Sequence, residues 1–191
     1  MKPKILAFAG STRADSFNKK LVKIAATGAS EADADVTVID LKDFPMPLYD
    51  EDLERQEGLP SNVQKLKNLM SIHHGFLISS PEYNSSISGV LKNTIDWTSR
   101  SRDDEPPSAC FQDKIAGLMS ASPGGLGGLR GLVHVRAILE NMGMIALPNQ
   151  VTVSKAHEAF DAQGNLNDKK QEQKVKDIGT KLIQMISKLN G

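Results

Sequence analysis

The stretch Ile5–Asn18, ILAFAGSTRADSFN, decides how this chain is read: a short apolar strand runs into a turn of small, hydroxylic and cationic residues, and a helix follows. Gly10 allows a sharp turn of the backbone. Ser11, Thr12 and Ser16 offer hydroxyls, Arg13 a planar positive fork and Asn18 an amide. The first turn of the helix adds backbone N–H groups with no intrahelical acceptor, and together these groups suit a phosphate. The turn is neither GxxxxGK[ST] nor GxGxxG, so it belongs to neither of the two common phosphate-loop patterns. The same residues also suit an ordinary capped turn, with Ser16 as the N-cap and Arg13 in solvent.

The composition narrows the choice of ligand. Lys and Arg total 23 and so do Asp and Glu, so no net field would draw a polyanion; small molecules are expected and nucleic acid is not. The 191 residues, 39% of them hydrophobic, suit one α/β domain spanning residues 1–191. No apolar run has the length of a membrane span, and Met1–Gly10 lacks the core and cleavage site of a signal peptide, so the expected address is the cytoplasm without membrane attachment. The single cysteine, Cys110, excludes an internal disulfide and reads as an inert thiol in a loop. His73 and His74 are adjacent and point apart, and His134 and His157 add no ligand spacing, so no metal site is expected.

Working outward from the opening strand, apolar runs of strand length recur at Lys4–Ala9, Val36–Asp40, Gly75–Ser79, Lys114–Ser120 and Met144–Val153, the last interrupted by Pro148. Helical spacing of apolar residues fills Ser16–Ala29, Ser61–Ile72, Ser88–Ser99, Gly127–Met142 and Asp168–Leu189. This alternation predicts a parallel sheet covered on both faces, with ligands held by the loops that follow the strands. The last helix carries Val175, Ile178, Leu182, Ile183, Ile186 and Leu189 on one face and reads as a docking helix. The long connections 41–60 and 100–113 are candidates for lids, subunit contacts or solvated loops.

Two further loops join the first. In SSPEYNSSISGVLKNTIDW (79–97), Pro81 stops the strand and leaves the N–H groups of Glu82, Tyr83 and Asn84 for a planar, acceptor-rich partner, while Gly89 lets the next helix approach closely. In SASPGGLGGLRG (120–131) the glycines expose backbone against which a ligand can lie. A phosphate cradle, a site for a planar head and a glycine shelf are the parts of a mononucleotide site.

GSTRADSFN, PEYN with SGVLKNTIDW, and SPGGLGGLRG with the ILENMGM helix end resemble the NADPH-dependent FMN reductase family, which includes quinone-, azo- and chromate-reductase-like members. The resemblance runs from Ile5 to about Val153 and implies an α/β, flavodoxin-like three-layer sandwich with a five-stranded parallel sheet of order 2-1-3-4-5. It places the family's phosphate-binding pattern on Gly10, Ser11, Arg13, Ser16 and Asn18, with Phe17 among the cofactor contacts. It sets Pro81, Glu82, Tyr83 and Asn84 at the pyrimidine edge of the isoalloxazine, and Ser120, Ser122, Gly124 and Gly125 on its other side. Asp15 puts a negative charge in the first loop and must point outward for a dianion to bind.

The implied activity is FMN-dependent oxidation of NAD(P)H, with hydride passing to flavin N5 and then to a quinone or similar small electron acceptor in a ping-pong cycle. No residue of the chain is assigned a catalytic role, because the flavin carries the chemistry. Hydrogen bonds to the reduced ring would come from Glu82–Asn84 or from the loop after the fourth strand. Arg100 and Arg102 are either solvated or placed for a 2′-phosphate, Trp97 is core or a subunit contact, and Tyr83 is at the flavin edge or across a dimer interface. The family implies a homodimer or homotetramer. The alternatives are a flavodoxin-type electron carrier without an organic substrate, and a flavin-free nucleotide or phosphosugar binder. Net charge zero and 5% aromatic residues argue against the carrier, which needs an acidic docking face and aromatic shielding of its ring.

Overall fold

A computed structural model of the chain describes residues 2–102 and 105–190. In chain order the elements are β1 (Lys4–Ala9), α1 (Phe17–Glu31), β2 (Asp35–Ile39), α2 (Glu51–Glu57), α3 (Ser61–Ile72), β3 (Gly75–Ser79), β4 (Glu82–Tyr83) and β5 (Ser86–Ile87). They continue with α4 (Gly89–Thr98), β6 (Ile115–Ala121), α5 (Leu129–Asn141), β7 (Ile145–Val153), α6 (Ala156–Ala159) and α7 (Lys169–Asn190). Five strands form one parallel sheet in the order β2-β1-β3-β6-β7, which is the 2-1-3-4-5 order once the small β4–β5 hairpin is set aside.

Beyond the exposed Lys4, the central strands β1, β3 and β6 are buried along their whole length, and mostly apolar, because both faces are covered. Along β1, Ile5, Ala7 and Ala9 enter the layer of α1 and α7, while Leu6 and Phe8 enter the opposite layer with Leu66 and Met70 of α3, Leu91 and Ile95 of α4 and Leu132 of α5. Helices α1 and α7 cross with backbones in contact: a Cβ at Gly28 would lie 2.1 Å from the Lys176 carbonyl oxygen, and one at Gly179 2.2 Å from that of Ala25. On the docking face of α7, Val175 through Ile186 are buried as the spacing predicts, whereas Leu189 is 58% exposed.

Pro148 leaves its mark on the edge strand. The β6–β7 register jumps from Ala116↔Ala146 to Leu118↔Gln150, a bulge that takes Leu147, Pro148 and Asn149 out of the regular ladder. Arg136 of α5 fills the gap by donating to the carbonyls of Ala146 (3.1 Å) and Leu147 (2.7 Å).

The long connection after β2 is strapped down. Asn93 of α4 accepts from Tyr49 N and donates to Pro47 O, both at 2.8 Å, and Trp97 Nε1 donates to the same carbonyl at 2.8 Å. Trp97 is fully buried beside the Tyr49 ring, which settles it as a core residue. Arg100 bonds Glu54 at 2.9 Å, and Arg102 bonds Asn68 and Glu105, so both guanidiniums already have partners. Cys110 is buried and donates to Thr98 O, and burial raises its thiol pKa to about 11 despite Lys67 and Lys114, the state of an inert thiol.

Candidate active site

The strand order reverses at β1, which pairs with β2 on one side and β3 on the other, so the crevice above the C-terminal ends of β1 and β3 is where this architecture holds a ligand. The loops after β1, β3 and β6 meet there. Their starts are levelled by three ladder-like bonds: Gly10 N to Ser79 O (2.9 Å), Ser80 N to Met119 O (2.9 Å) and Ser122 N to Val153 O (3.0 Å).

Beneath the crevice lies a frame of buried side chains. Asn18 donates to Ala121 O (2.9 Å) and accepts from Ala121 N (2.9 Å) and Ser79 Oγ (2.8 Å), joining α1 to β3 and β6. Ser120 Oγ donates to Ser80 O at 2.6 Å and is fully buried. Ser88 caps α4 by accepting from Leu91 N and also donates to Gly10 O at 2.6 Å. Of the residues expected at the ligand, Ser120 therefore turns its hydroxyl to the interior, and Asn18 has both acceptor positions of its amide taken while one of its two amide hydrogens is used. Sequence reasoning missed Ser79, Ser80 and Ser88, whose signal was the serine pair ending the third strand and the Ser-Gly start of α4.

The chain bends at Gly10 as expected, with no left-handed backbone there, and glycine also serves the packing of α4, since a Cβ would lie 2.9 Å from Leu91 Cβ. At Gly89, where close approach was expected, a Cβ would meet nothing within 4 Å.

Above this frame the first loop presents open groups. Thr12, Arg13 and Ala14 are exposed, while Ser11 is buried and its hydroxyl accepts from Arg13 N at 3.3 Å. Ser16 has the backbone of an N-cap, yet its hydroxyl makes no bond to α1. The first N–H groups of α1 to find acceptors are those of Lys19 and Lys20, on Ser16 O, leaving the Phe17 and Asn18 N–H groups unpaired among the described residues. An anion placed there meets a hydroxyl, two backbone donors and the positive end of a helix dipole. Asp15 points away, 78% exposed and paired to Lys20 at 2.6 Å, an arrangement that lowers its pKa. The Phe17 ring stacks on Phe160 with centroids 5.9 Å apart, so Phe17 contributes its N–H to the loop and its ring to the body of the protein.

The second loop is a hairpin rather than an open turn. Pro81 is buried, β4 and β5 pair antiparallel, and Asn84 (φ 51°) and Ser85 (φ 66°) form the tip in the left-handed conformation that a two-residue hairpin requires. Tyr83 stands 52% exposed. The Glu82 side chain turns toward α5, with 9% exposure, and bonds Arg130 and Gly131 N. Burial raises its pKa, but these hydrogen bonds and the guanidinium charge prevail and hold the carboxyl below the usual glutamate range. In the third loop Gly124 and Gly125 are exposed, Ser122 Oγ accepts from Gly124 N at 3.2 Å, and a Cβ at Gly125 would meet nothing within 4 Å. Gly128 differs: at φ 91° it packs so closely on Ser120 that a side chain would strike its hydroxyl.

Like Asp15, Glu82 has its carboxyl held low by an ion pair, and it is locked in that pair rather than poised to exchange a proton. The crevice thus offers hydrogen-bond donors at the start of α1 and open backbone at Gly124 and Gly125, with no acid–base pair poised among the described residues.

A doubly wound parallel sheet with this strand order defines a flavodoxin-like fold. The chain belongs to the NADPH-dependent FMN reductase family, whose profile matches residues 3–158, and is an oxidoreductase that works with FMN and NAD(P)H. It is 36% identical over 192 residues to a probable NADPH:quinone oxidoreductase of Oryza sativa subsp. japonica, covering 98% of this chain and 91% of the relative. It is also 36% identical over 172 residues to an NAD(P)H-dependent FMN reductase of Pseudomonas aeruginosa, covering 87% and 86%. A solved structure of a flavoenzyme NAD(P)H:(acceptor) oxidoreductase from Paracoccus denitrificans superposes with a TM-score of 0.78 at 26% identity, covering 97% and 98%.

Proposed function

We propose that this protein passes reducing equivalents from NAD(P)H to a quinone or similar flat, reducible molecule, and that the crevice above β1, β3 and β6 holds the FMN. The observation that carries this reading is the turn at Gly10–Asn18, which leaves an uncommitted Ser16 hydroxyl, the first N–H groups of α1 and the exposed Arg13 available to a phosphate. Ser11 braces that turn from within. Pro81, Glu82, Tyr83 and Asn84 form one wall for the ring; Ser122, Gly124 and Gly125, carried on the buried Ser120, form the other.

Bound FMN supplies the hydride chemistry, and the chain's task is to fix the ring, donate hydrogen bonds to its carbonyls and leave one face open. NAD(P)H and the acceptor then use that face in turn. Names of relatives support the acceptor class, since quinone oxidoreductases and reductases recur among them. The electron-carrier alternative is not favoured. We place the protein in the cytoplasm as a homodimer or homotetramer built on one domain. Exposed Leu126, Leu129 and Val133 beside the site, and an apolar groove of roughly 380 Å³ between β5, α4 and α5, support an assembly through this face.

Initial rates measured against NADPH at several fixed quinone concentrations test the proposal. Parallel double-reciprocal lines are expected; intersecting lines would show that both substrates bind together and would overturn the shared face.

A further inference from the structure

The β4–β5 hairpin shares no ladder with the five-stranded sheet, so its position is fixed by what its side chains grip. Glu82 Oε1 accepts from Arg130 Nε at 3.0 Å and Nη2 at 2.8 Å, while Oε2 accepts from the backbone N–H of Gly131 at 3.1 Å. These donors belong to the first turn of α5, where the helix dipole adds to the attraction for a carboxylate. The fit depends on glycine at 131, where a Cβ would lie 3.1 Å from Ser86 O and 3.3 Å from Glu82 Cβ. One helical turn further on, His134 Nδ1 and Ser86 Oγ are 2.9 Å apart and tie down the second strand of the hairpin.

We propose that Glu82 is a positioning residue for the flavin: its carboxylate, clamped by Arg130 and the Gly131 N–H, sets the spacing between the β4–β5 hairpin, with Tyr83 and its Asn84–Ser85 tip, and the Gly124–Gly128 shelf. Both of its oxygens are spent on α5, so its influence on a bound ring passes through the two loops it joins. This rests on the reading of the crevice as the FMN site. The link has the character of a charge-assisted bond in a nearly enclosed place: the Glu82 side chain is 9% exposed, whereas that of Arg130 is 59% exposed. Replacing the carboxylate by an amide keeps the shape but turns a donor toward Arg130 or toward the Gly131 N–H, so one of the two contacts must fail.

The test is FMN titration into FMN-free wild type, Glu82→Gln, Arg130→Gln and the double variant, read by quenching of flavin fluorescence and by the visible circular dichroism of the bound flavin. Glu82→Gln is expected to weaken FMN binding about tenfold and to alter the dichroism, as a lost charge-assisted bond would. Arg130→Gln should do the same, and the double variant should be no worse than the weaker single, because both changes break one link. Wild-type affinity and dichroism in Glu82→Gln, or losses that add in the double variant, would overturn the proposal. Should Glu82→Gln fail to fold, Arg130→Gln, altered at an exposed side chain, carries the test alone. Wild type that binds no FMN would contradict the assignment of the site itself, a separate outcome from normal binding left untouched by the variants.

Discussion

Arg13, in the first loop, and Asn18, five positions on in the first turn of α1, do opposite kinds of work. Asn18 is 4% exposed, with three hydrogen bonds holding Ser79 and Ala121; Arg13 is exposed, with its guanidinium free of ion pairs among the described residues. Asn18→Ala strands the buried N–H and C=O of Ala121, and should lower unfolding stability by ~3 kcal/mol in urea denaturation. Arg13→Ala should leave the denaturation midpoint where it is and weaken FMN binding about tenfold by fluorescence titration. An Arg13→Ala protein with normal FMN affinity would mean that the loop holds no phosphate. The sequence shows the types of these residues but not which polar side chains are consumed by neighbouring strands, because the Asn18 bond to Ala121 spans 103 positions. The Ser120 hydroxyl bond to Ser80 O, across 40 positions, was hidden for the same reason.

At the scale of elements, the five sheet strands and the helices covering them were legible to within two residues, because continuous apolar runs and helical spacing answer directly to burial on both faces. Helix α2, the β4–β5 hairpin and the short α6 were not. Helix α2 has no buried residue and so no apolar stripe; it is held by the Asp50 cap and by Tyr49 and Arg100 bonded to Glu54. The β4–β5 hairpin has strands of two residues and a tip of Asn84 and Ser85, without the glycine that usually marks such a turn. The crossing of α1 with α7 was also hidden, since Gly28 reads only as a weak spot in a helix. Alanine at position 28 would gain about 1 kcal/mol of helix propensity but drive its Cβ into the Lys176 carbonyl, an overpacking cost of ~3 kcal/mol. Gly28→Ala should therefore unfold at lower denaturant than wild type; an equal or higher midpoint would mean that the two helices separate freely.

For the whole molecule, the sheet and its layers serve to bring three loops to one edge. The parallel order puts the ends of β1, β3 and β6 side by side, and the buried Asn18, Ser79, Ser80, Ser88 and Ser120 lock the loops that leave them. Each loop alone was a weak signal in the sequence, and their convergence followed from strand order, which resemblance supplied and the fold bears out. The central claim is that this edge carries an FMN that NAD(P)H reduces. It is tested most directly by reconstituting the protein with FMN and mixing it, without oxygen, with NADPH and separately with NADH. The account predicts rapid bleaching of the flavin's visible absorption by at least one donor and return of the colour on adding a quinone; a protein that takes up no FMN, or whose flavin stays oxidised with both donors, would contradict it.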